Sequence, residues 1–337
     1  MNHMDEKRIR ISDIAEELGL STATVSNVIH GKTQRVSDET VKKVQELLEK
    51  REYIPSMAGI LLAQNDSGII GVAVNRHEKY EDRVLEDPFI ASSLNSLSVE
   101  IEKAHKFMMV KTVAETKEII RFASMWNMEG LILIGFCQED YRWLRQHMRI
   151  PFVAYDVPAE APERFCSLNI DNYSGGYQMG RYFKSLGHKR LLCISDNDTF
   201  IDHERYQGFC AGSGGADLMQ IPMQKKTREE FYRENFKRIC GYSAVFAVSD
   251  YYAIDLMRFL LARGLRVPED ISVAGFDDMP ICAQVFPTLT SVRQDGVLRA
   301  GTAMEKLAAL RAGKETGTTV TLPVQLVVRE STGPYAE

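Results

Sequence analysis

Apolar residues in the first part of the chain recur every three or four positions in three short segments, which is the spacing of amphipathic helices. The apolar positions are Ile11, Ile14, Ala15 and Leu18, then Val25, Val28 and Ile29, then Val41, Val44, Leu47 and Leu48. Gly19 breaks the first segment, Ser21 and Ser37 are suited to cap the next two, and Pro55 is expected to stop the last. The pattern predicts a helix-turn-helix followed by a third helix.

The polar face of the second predicted helix carries short side chains. Thr22, Ala23, Ser26 and Asn27 would let this helix enter a major groove and meet base edges. Residues 19–37 contain basic but no acidic side chains, so a locally positive surface is expected there. We predict DNA contacts by Ser12, Ser21, Thr22, Ala23, Ser26, Asn27, His30, Lys32 and Arg35. The alternative is a small helical bundle that contacts another protein.

From residue 68 onward, β-rich apolar runs alternate with amphipathic segments. The predicted strands are residues 68–74, 107–110, 130–136, 151–156, 190–195, 221–223, 243–249 and 271–276. Predicted helices cover residues 91–105 and 116–127, the region of Tyr141 and Leu144, the stretch up to residue 186, and residues 205–210, 228–240 and 250–263. Strands joined by helices form parallel sheets covered on both faces, so the sequence predicts an α/β protein with two doubly wound halves. The cleft between the halves is the expected ligand site.

Several sequence stretches are similar, in their residues and in their order, to the motifs of one known family. The head carries I-A-E-E-L-G-L-S-T-A-T-V-S-N-V-I from residue 14, V-S-D-E-T from residue 36 and Y-I-P from residue 53. The later part carries L-G-H-K-R from residue 186, R-V-P-E-D-I-S-V-A-G-F-D-D from residue 266, P-T-L-T-S-V-R-Q from residue 287 and L-V-V-R-E-S-T-G from residue 326. Over about residues 11–333, the chain resembles the lactose-repressor/galactose-repressor (LacI/GalR) family of bacterial regulators.

This resemblance implies a particular domain organisation. A helix-turn-helix DNA-binding domain is expected over residues 1–55 and a hinge over residues 56–67. Two subdomains of the periplasmic-binding-protein type are expected to follow. The N-terminal one would comprise residues 68–186 plus 296–322, and the C-terminal one residues 187–295 plus 323–333.

The expected hinge is apolar rather than rich in Gly and Ser, so it is suited to form a short helix. In the family, the corresponding helix inserts a leucine into the minor groove, and Leu62 falls at that position. The segment departs from the family by containing Gly59 and by lacking Arg and Lys from residue 56 to residue 67. The alternative is an apolar segment that packs on the core.

The resemblance also implies a set of ligand-binding residues. Asp277 matches the family's ligand-binding acid and Arg205 its arginine, while Ser249 stands where the family often has Asn. Gln294 matches a polar residue near the floor of the cleft, and Asp87 and Phe89 match a turn on the first half. A carboxylate that accepts from adjacent hydroxyls is suited to hold a sugar. As alternatives, Asp277 or Asp278 would cap the next helix, Arg205 would form an ion pair between domains, and Phe89 would belong to the core.

The resemblance implies a sequence-specific transcriptional regulator, and more specifically a repressor, that works as a homodimer on pseudo-palindromic double-stranded operator DNA. A small molecule, expected to be a carbohydrate, would control its DNA affinity. Sugar phosphates, purines and nucleosides stay open as ligands, and so does the choice between induction and co-repression. The competing interpretation is a solute-binding sensor with little or no DNA binding, because residues 1–65 contain nine Lys and Arg but ten Asp and Glu.

Motifs of other functional classes are absent from the sequence. It contains no G-x-S-x-G, no H-E-x-x-H, no G-x-G-x-x-G after a strand and no Cys or His pair with metal-ligand spacing. We therefore expect no catalytic residues, no metal site and no cofactor. Residues 1–10 are mostly polar and charged and contain no apolar run, and no later apolar segment reaches the ~18 residues of a membrane span. A cytoplasmic protein without a membrane partner is expected.

Overall fold

A computed structural model of the chain describes residues 9–54, 67–77, 80, 82–157 and 164–335. The chain divides into two compact units, Met1–Ser67 and Gly68–Glu337. The hinge predicted over residues 56–67, including Leu62, lies outside the described residues except for Ser67. Within the part of the chain that is described, no helix has both the length and the apolar composition needed to cross a bilayer.

The first unit contains the three predicted helices. These are α1 (Ile11–Leu18), α2 (Thr22–Ile29) and α3 (Asp38–Lys50). Gly19 ends α1 in the left-handed region at φ +64°, and the hydroxyls of Ser21 and Ser37 accept hydrogen bonds from the backbone N–H groups of Thr24 and Thr40. These caps set the start of α2 and of α3.

The small core of this unit is built from the apolar faces that the sequence pattern identified. Its buried members are Ile14, Ala15, Val25, Val28, Val44 and Leu47. The expectation that Pro55 stops the third helix is wrong, because α3 ends at Lys50. Glu52 adopts a left-handed φ of +49°, which turns the chain so that Tyr53 packs on the core.

The second unit contains two sheets, as the prediction of two doubly wound halves requires. The first sheet has the order β11-β5-β4-β3-β1-β2, and all its neighbouring strands are parallel. Its strands are β1 (Ile69–Asn75), β2 (Phe107–Val113), β3 (Gly130–Ile134), β4 (Phe152–Tyr155), β5 (Phe165–Ile170) and β11 (Thr318–Leu322). We call this sheet and the helices packed on it the first lobe.

The second sheet has the order β12-β10-β9-β8-β6-β7 and is parallel except for the antiparallel pair β10 and β12. Its strands are β6 (Leu191–Ser195), β7 (Asp217–Gln220), β8 (Ala244–Ala247), β9 (Ser272–Asp277), β10 (Thr290–Gln294) and β12 (Val324–Val327). This sheet forms the second lobe. The prediction of two doubly wound halves is confirmed, although β7 precedes the strand expected at 221–223.

Helices connect successive strands and cover the sheets. They are α4 (Pro88–Lys103), α5 (Thr116–Met125), α6 (Gln138–His147), α7 (Asn172–Ser185), α8 (Phe200–Ser213), α9 (Lys225–Glu234), α10 (Phe236–Ile239), α11 (Asp250–Leu261) and α12 (Gly296–Arg311). Helix α12 packs on α4 and on the first sheet.

Helix α7 packs on the second lobe, whereas the sequence placed residues 172–186 in the first. Its backbone lies directly against α8: a Cβ added at Gly176 would stand 2.0 Å from the carbonyl oxygen of Arg205, and one at Gly208 would stand 2.0 Å from that of Tyr173. Gln178 also donates to the carbonyl of Val324 at 3.2 Å. The chain therefore crosses to the second lobe near residue 171. Glycine at positions 176 and 208 allows the backbones of α7 and α8 to approach this closely.

Candidate functional site

The carboxyl ends of strands from both lobes border a single cleft of about 800 Å³. It is lined from the first lobe by residues that follow β3 and β4, and from the second by residues that follow β6, β8, β9 and β10. All six residues predicted from the sequence line it, namely Asp87, Phe89, Arg205, Ser249, Asp277 and Gln294. The structure thus brings them together, while their ligand contacts stay a prediction.

Arg205 lies on α8 and is only 5% exposed. Its Nε donates to Oδ1 of Asn172 at 2.9 Å, and its Nη1 donates to the carbonyl of Val248 at 2.6 Å. The guanidinium stacks on Phe276 at 3.7 Å from the ring centroid. These contacts fix the cation in one position, with Nη1 3.9 Å from Oδ1 of Asp277.

Asp277 ends β9 with a left-handed φ of +115°, an uncommon conformation for a residue with a side chain. Its Oδ1 accepts a hydrogen bond from Nε2 of Gln294 at 2.7 Å. Burial raises the pKa of Asp277 well above its usual value, and the nearby Asp250 acts in the same direction, whereas Arg205 opposes the shift. The carboxyl group would therefore gain from hydroxyl donors supplied by a ligand.

Gln294 is held from behind by Arg299, a residue that the sequence analysis missed. Arg299 lies on α12, is 2% exposed, and donates from Nη1 to Oε1 of Gln294 at 2.8 Å. Its Nη2 contacts the carbonyl of Leu168 at 3.1 Å and pairs with Asp156 at 2.8 Å. Because Arg299 occupies the amide oxygen of Gln294, the amide NH2 group is directed to Asp277. This polar chain joins the floor of the second lobe to residues of the first.

Ser249 and Asp87 both cap helices at the rim of the cleft. Ser249 accepts from the N–H of Tyr252 at 3.4 Å, and Asp87 accepts from those of Phe89 and Ile90 at 3.0 and 3.1 Å. Phe89 is half-buried and packs against the core while it lines the cleft. Helix capping by Asp277 or Asp278 is not observed, because the short turn Pro280–Ala283 has Met279 at its N-cap position.

Asp250 is a second residue that the sequence analysis missed. It is buried at the start of α11, and it accepts from the hydroxyl of Ser291 at 2.5 Å and from the N–H of Met279 at 2.8 Å. Burial raises its pKa to about 7, although these hydrogen bonds lower it. No local sequence signal identifies it, because its role depends on Ser291 and Met279, which lie far from it in the chain.

The predicted DNA-contacting residues all lie in the first unit. Thr22, Ala23 and Asn27 are exposed on α2, while Ser26 is half-buried. Ser12, Ser21, Lys32 and Arg35 are exposed and His30 is half-buried. Ser21 already serves as the cap of α2, so its hydroxyl has a structural role. The placement leaves one side of α2 polar and accessible.

Two family profiles match the chain. One, described as bacterial regulatory proteins of the lacI family, matches residues 10–56. The other, described as a periplasmic binding protein-like domain, matches residues 181–332.

Relatives with curated descriptions match over nearly their full length. The chain is 27% identical to the HTH-type transcriptional regulator CelR of Thermobifida fusca, over 96% of this chain and 98% of the relative. It is 26% identical to the HTH-type transcriptional repressor PurR of Mannheimia succiniciproducens, over 95% and 98% respectively. Both relatives are described as transcriptional regulators or repressors.

Solved structures share the fold. The lac repressor dimer bound to operator and the anti-inducer ONPF matches with a TM-score of 0.82 and 22% identity, over 97% of this chain and all of that one. The complex of the transcriptional regulator CelR with cellobiose matches with a TM-score of 0.68 and 24% identity, over 96% and 100%.

Proposed function

The chain belongs to the LacI family of bacterial regulators, and on that premise we propose that it is a homodimeric repressor whose operator affinity is set by a carbohydrate bound in the cleft. As a member of this family it is a DNA-binding transcriptional regulator. The proposal assigns the operator to the head and the effector to the cleft of the second unit.

On the head, base reading is assigned to α2. Exposed Thr22, Ala23 and Asn27 are short enough to reach base edges from a helix in the major groove, and Asn is suited to pair with adenine. Lys32 and Arg35 are assigned to backbone phosphates. One such head covers half of a pseudo-palindromic site, which requires a dimer. Minor-groove insertion by Leu62 belongs to the same proposal.

The arrangement of Asp277, Arg205 and Gln294 on the cleft floor is the observation that carries the effector assignment. A buried carboxyl that accepts a single amide hydrogen bond, beside a fixed guanidinium, can accept and donate hydrogen bonds with neighbouring hydroxyls of one ring. Cellobiose in the CelR complex supports a carbohydrate as the class of ligand. Asp87, Phe89 and Ser249 are assigned to the walls.

Closure of the cleft around the effector would move the lobes and change how the two heads are presented to DNA, a coupling typically worth ~1–3 kcal/mol. We propose that the first lobe comprises residues 68–171 plus 296–322 and the second residues 172–295 plus 323–333.

A cytoplasmic location is part of the proposal, because operator DNA is in the cytoplasm.

The Asp277→Ala variant tests the effector assignment. Sugars that raise the melting temperature of the wild-type protein are first found by a thermal-shift screen, and their effect on binding to the promoter fragment of its own gene is measured by gel shift. The variant should bind the fragment as the wild type does but lose the sugar response. Asp217→Ala, an exposed acid outside the cleft, is the matched control. An unchanged sugar response in Asp277→Ala would overturn the assignment.

A further inference from the structure

The charges around the cleft disfavour an anionic ligand. Among the described residues, its lining contains eight carboxylates and four basic side chains. The carboxylates are Glu86, Asp87, Asp156, Asp196, Asp202, Asp250, Asp255 and Asp277. Of the basic groups, Arg205 is held by Asn172 and Val248, while Arg83 and Arg258 lie at the exposed rim in ion pairs with Glu86 and Asp255. The fourth, Lys225, is exposed. Burial raises the pKa values of Asp250 and Asp277, yet the other six carboxylates still outnumber the four cations. An uncharged ligand with many hydroxyl donors therefore fits this lining better than a phosphate does.

The size of the cleft exceeds the needs of one sugar ring. Its volume of about 800 Å³ is near the upper end of the range of small-molecule pockets. Asp277 and Gln294 are buried at its floor, whereas Phe200 and Tyr251 line the same cavity with well-exposed rings. A single hexose bound at the floor would leave the exposed aromatic wall in contact with water.

Phe200 lines this cleft and has a strained backbone conformation. Its φ is +47°, in the left-handed region that bulky residues rarely adopt because it is sterically strained. The residue is 57% exposed although it begins α8 at the cleft wall. Such strain is retained where the surroundings enforce it. Here Asn197 Oδ1 accepts from the N–H of Thr199 at 3.0 Å and from its hydroxyl at 2.9 Å.

The same loop also orients two carboxylates. Nδ2 of Asn197 contacts Asp196 Oδ1 at 2.9 Å and Asp202 Oδ2 at 2.7 Å, and the hydroxyl of Tyr252 donates to Asp196 at 2.8 Å. Both acids line the cleft. An exposed aromatic face beside fixed hydrogen-bond acceptors is suited to a sugar ring, which has an apolar face and a rim of hydroxyls.

We propose that the effector is an uncharged oligosaccharide of at least two units, with one unit at Asp277 and the next on an outer subsite formed by Phe200, Asp196 and Asp202. The inference rests on the proposed effector role of the cleft. It adds that the ligand spans floor and outer wall, and that the outer wall contributes much of the affinity.

Isothermal titration calorimetry on the full-length protein tests this proposal. The probes are glucose, galactose, cellobiose, maltose, lactose and glucose 6-phosphate. At least one disaccharide should bind at least tenfold more tightly than its constituent monosaccharides and than glucose 6-phosphate. Phe200→Ala should reduce the affinity for that disaccharide at least tenfold and change monosaccharide affinity less than twofold. Phe107→Ala, which removes an exposed aromatic ring outside the cleft, should change neither.

Three results would overturn the inference: no disaccharide of this set binds more tightly than its monosaccharides, glucose 6-phosphate binds most tightly, or Phe200→Ala weakens both sugar classes equally. If a monosaccharide binds at least as tightly as every disaccharide, and Asp277→Ala abolishes that binding, the outer subsite is overturned but the proposed effector cleft stays intact. If no sugar binds, the proposal for the effector class fails as well.

Discussion

Arg299 shows how one buried cation connects the two lobes. Its ion pair with Asp156 and its hydrogen bonds to Gln294 and Leu168 join α12 to the cleft floor. Replacement by Leu would leave Asp156 without its cation and Gln294 without its donor, and breaking a buried pair in this way typically costs about 3 kcal/mol or more. We expect Arg299→Leu to lower the free energy of unfolding in urea by about this amount.

A second substitution separates the ion pair from simple loss of packing. In Arg299→Leu with Asp156→Asn, the unpaired carboxylate is gone, so most of the lost stability should return. If the double variant is as unstable as the single one, the ion pair with Asp156 is not the source of the loss.

Asp250 predicts a dependence of stability on pH. Burial raises its pKa to about 7 in the folded protein, above its usual value in the unfolded chain. The folded state therefore holds this proton more tightly, and the resulting stability is complete at low pH and is lost as the pH rises toward 7. Asp250→Asn keeps an acceptor for Met279 and removes the titration. Urea unfolding at pH 5 and pH 8 should show a smaller difference for the variant than for the wild type, and an equal difference would contradict the prediction.

Among individual residues, the sequence identifies those that end a recognisable strand or belong to a family motif. Asp277 and Arg205 are of this kind, and the structure places both at the cleft. Arg299 and Asp250 were not predicted, because their importance depends on what faces them: Asp156 and Leu168 in one case, Ser291 in the other. A lone charge on a helix has no partner that can be read from sequence.

The contact between α7 and α8 depends on glycine at the crossing. A Cβ at position 208 would stand 2.0 Å from a backbone oxygen of α7, so the two helices would have to separate. We expect Gly208→Ala to lower the free energy of unfolding by about 3 kcal/mol, near the upper end of typical overpacking costs. Gln207→Ala, one residue earlier on the exposed face, should change it by less than about 0.5 kcal/mol. Equal effects of the two changes would show that the helices can separate at little cost.

Elements with strong caps or long apolar runs were predicted well. Serine caps located α2 and α3, and residues 243–249 contain β8. Strand β5 was missed because Ser167 and Asn169 interrupt its apolar pattern, although Ser167 is fully buried in the sheet. A strand was predicted at residues 221–223 because Ile221 and Pro222 are apolar. The observed strand, β7, begins four residues earlier. Local hydrophobicity therefore identified the strands less reliably where the sheet buries polar side chains.

For the whole molecule, the charge balance of the head predicts a shallow salt dependence of DNA binding. If Lys32 and Arg35 of both heads contact phosphates, the four contacts give a slope of log affinity against log salt concentration of about −4. Arg35→Ala removes two of them and should reduce the magnitude of the slope by about 2. Arg51→Ala is the control, because Arg51 pairs with Glu17 at 2.7 Å. Fluorescence anisotropy with a promoter fragment at several salt concentrations measures both, and equal slopes for all three proteins would contradict the assignment of Arg35.

The last two strands, β11 and β12, lie in different sheets although they are neighbours in sequence. On a ribosome, neither lobe can complete its sheet until residues 318–327 have emerged, whereas the core of the head uses residues from only the first part of the chain. A nascent chain that ends before Thr318 would contain a complete helix-turn-helix head and two sheets in which β5 and β10 are unpaired edge strands. Such edges invite pairing with other chains, so late frameshifts should yield aggregates rather than permanently active repressors.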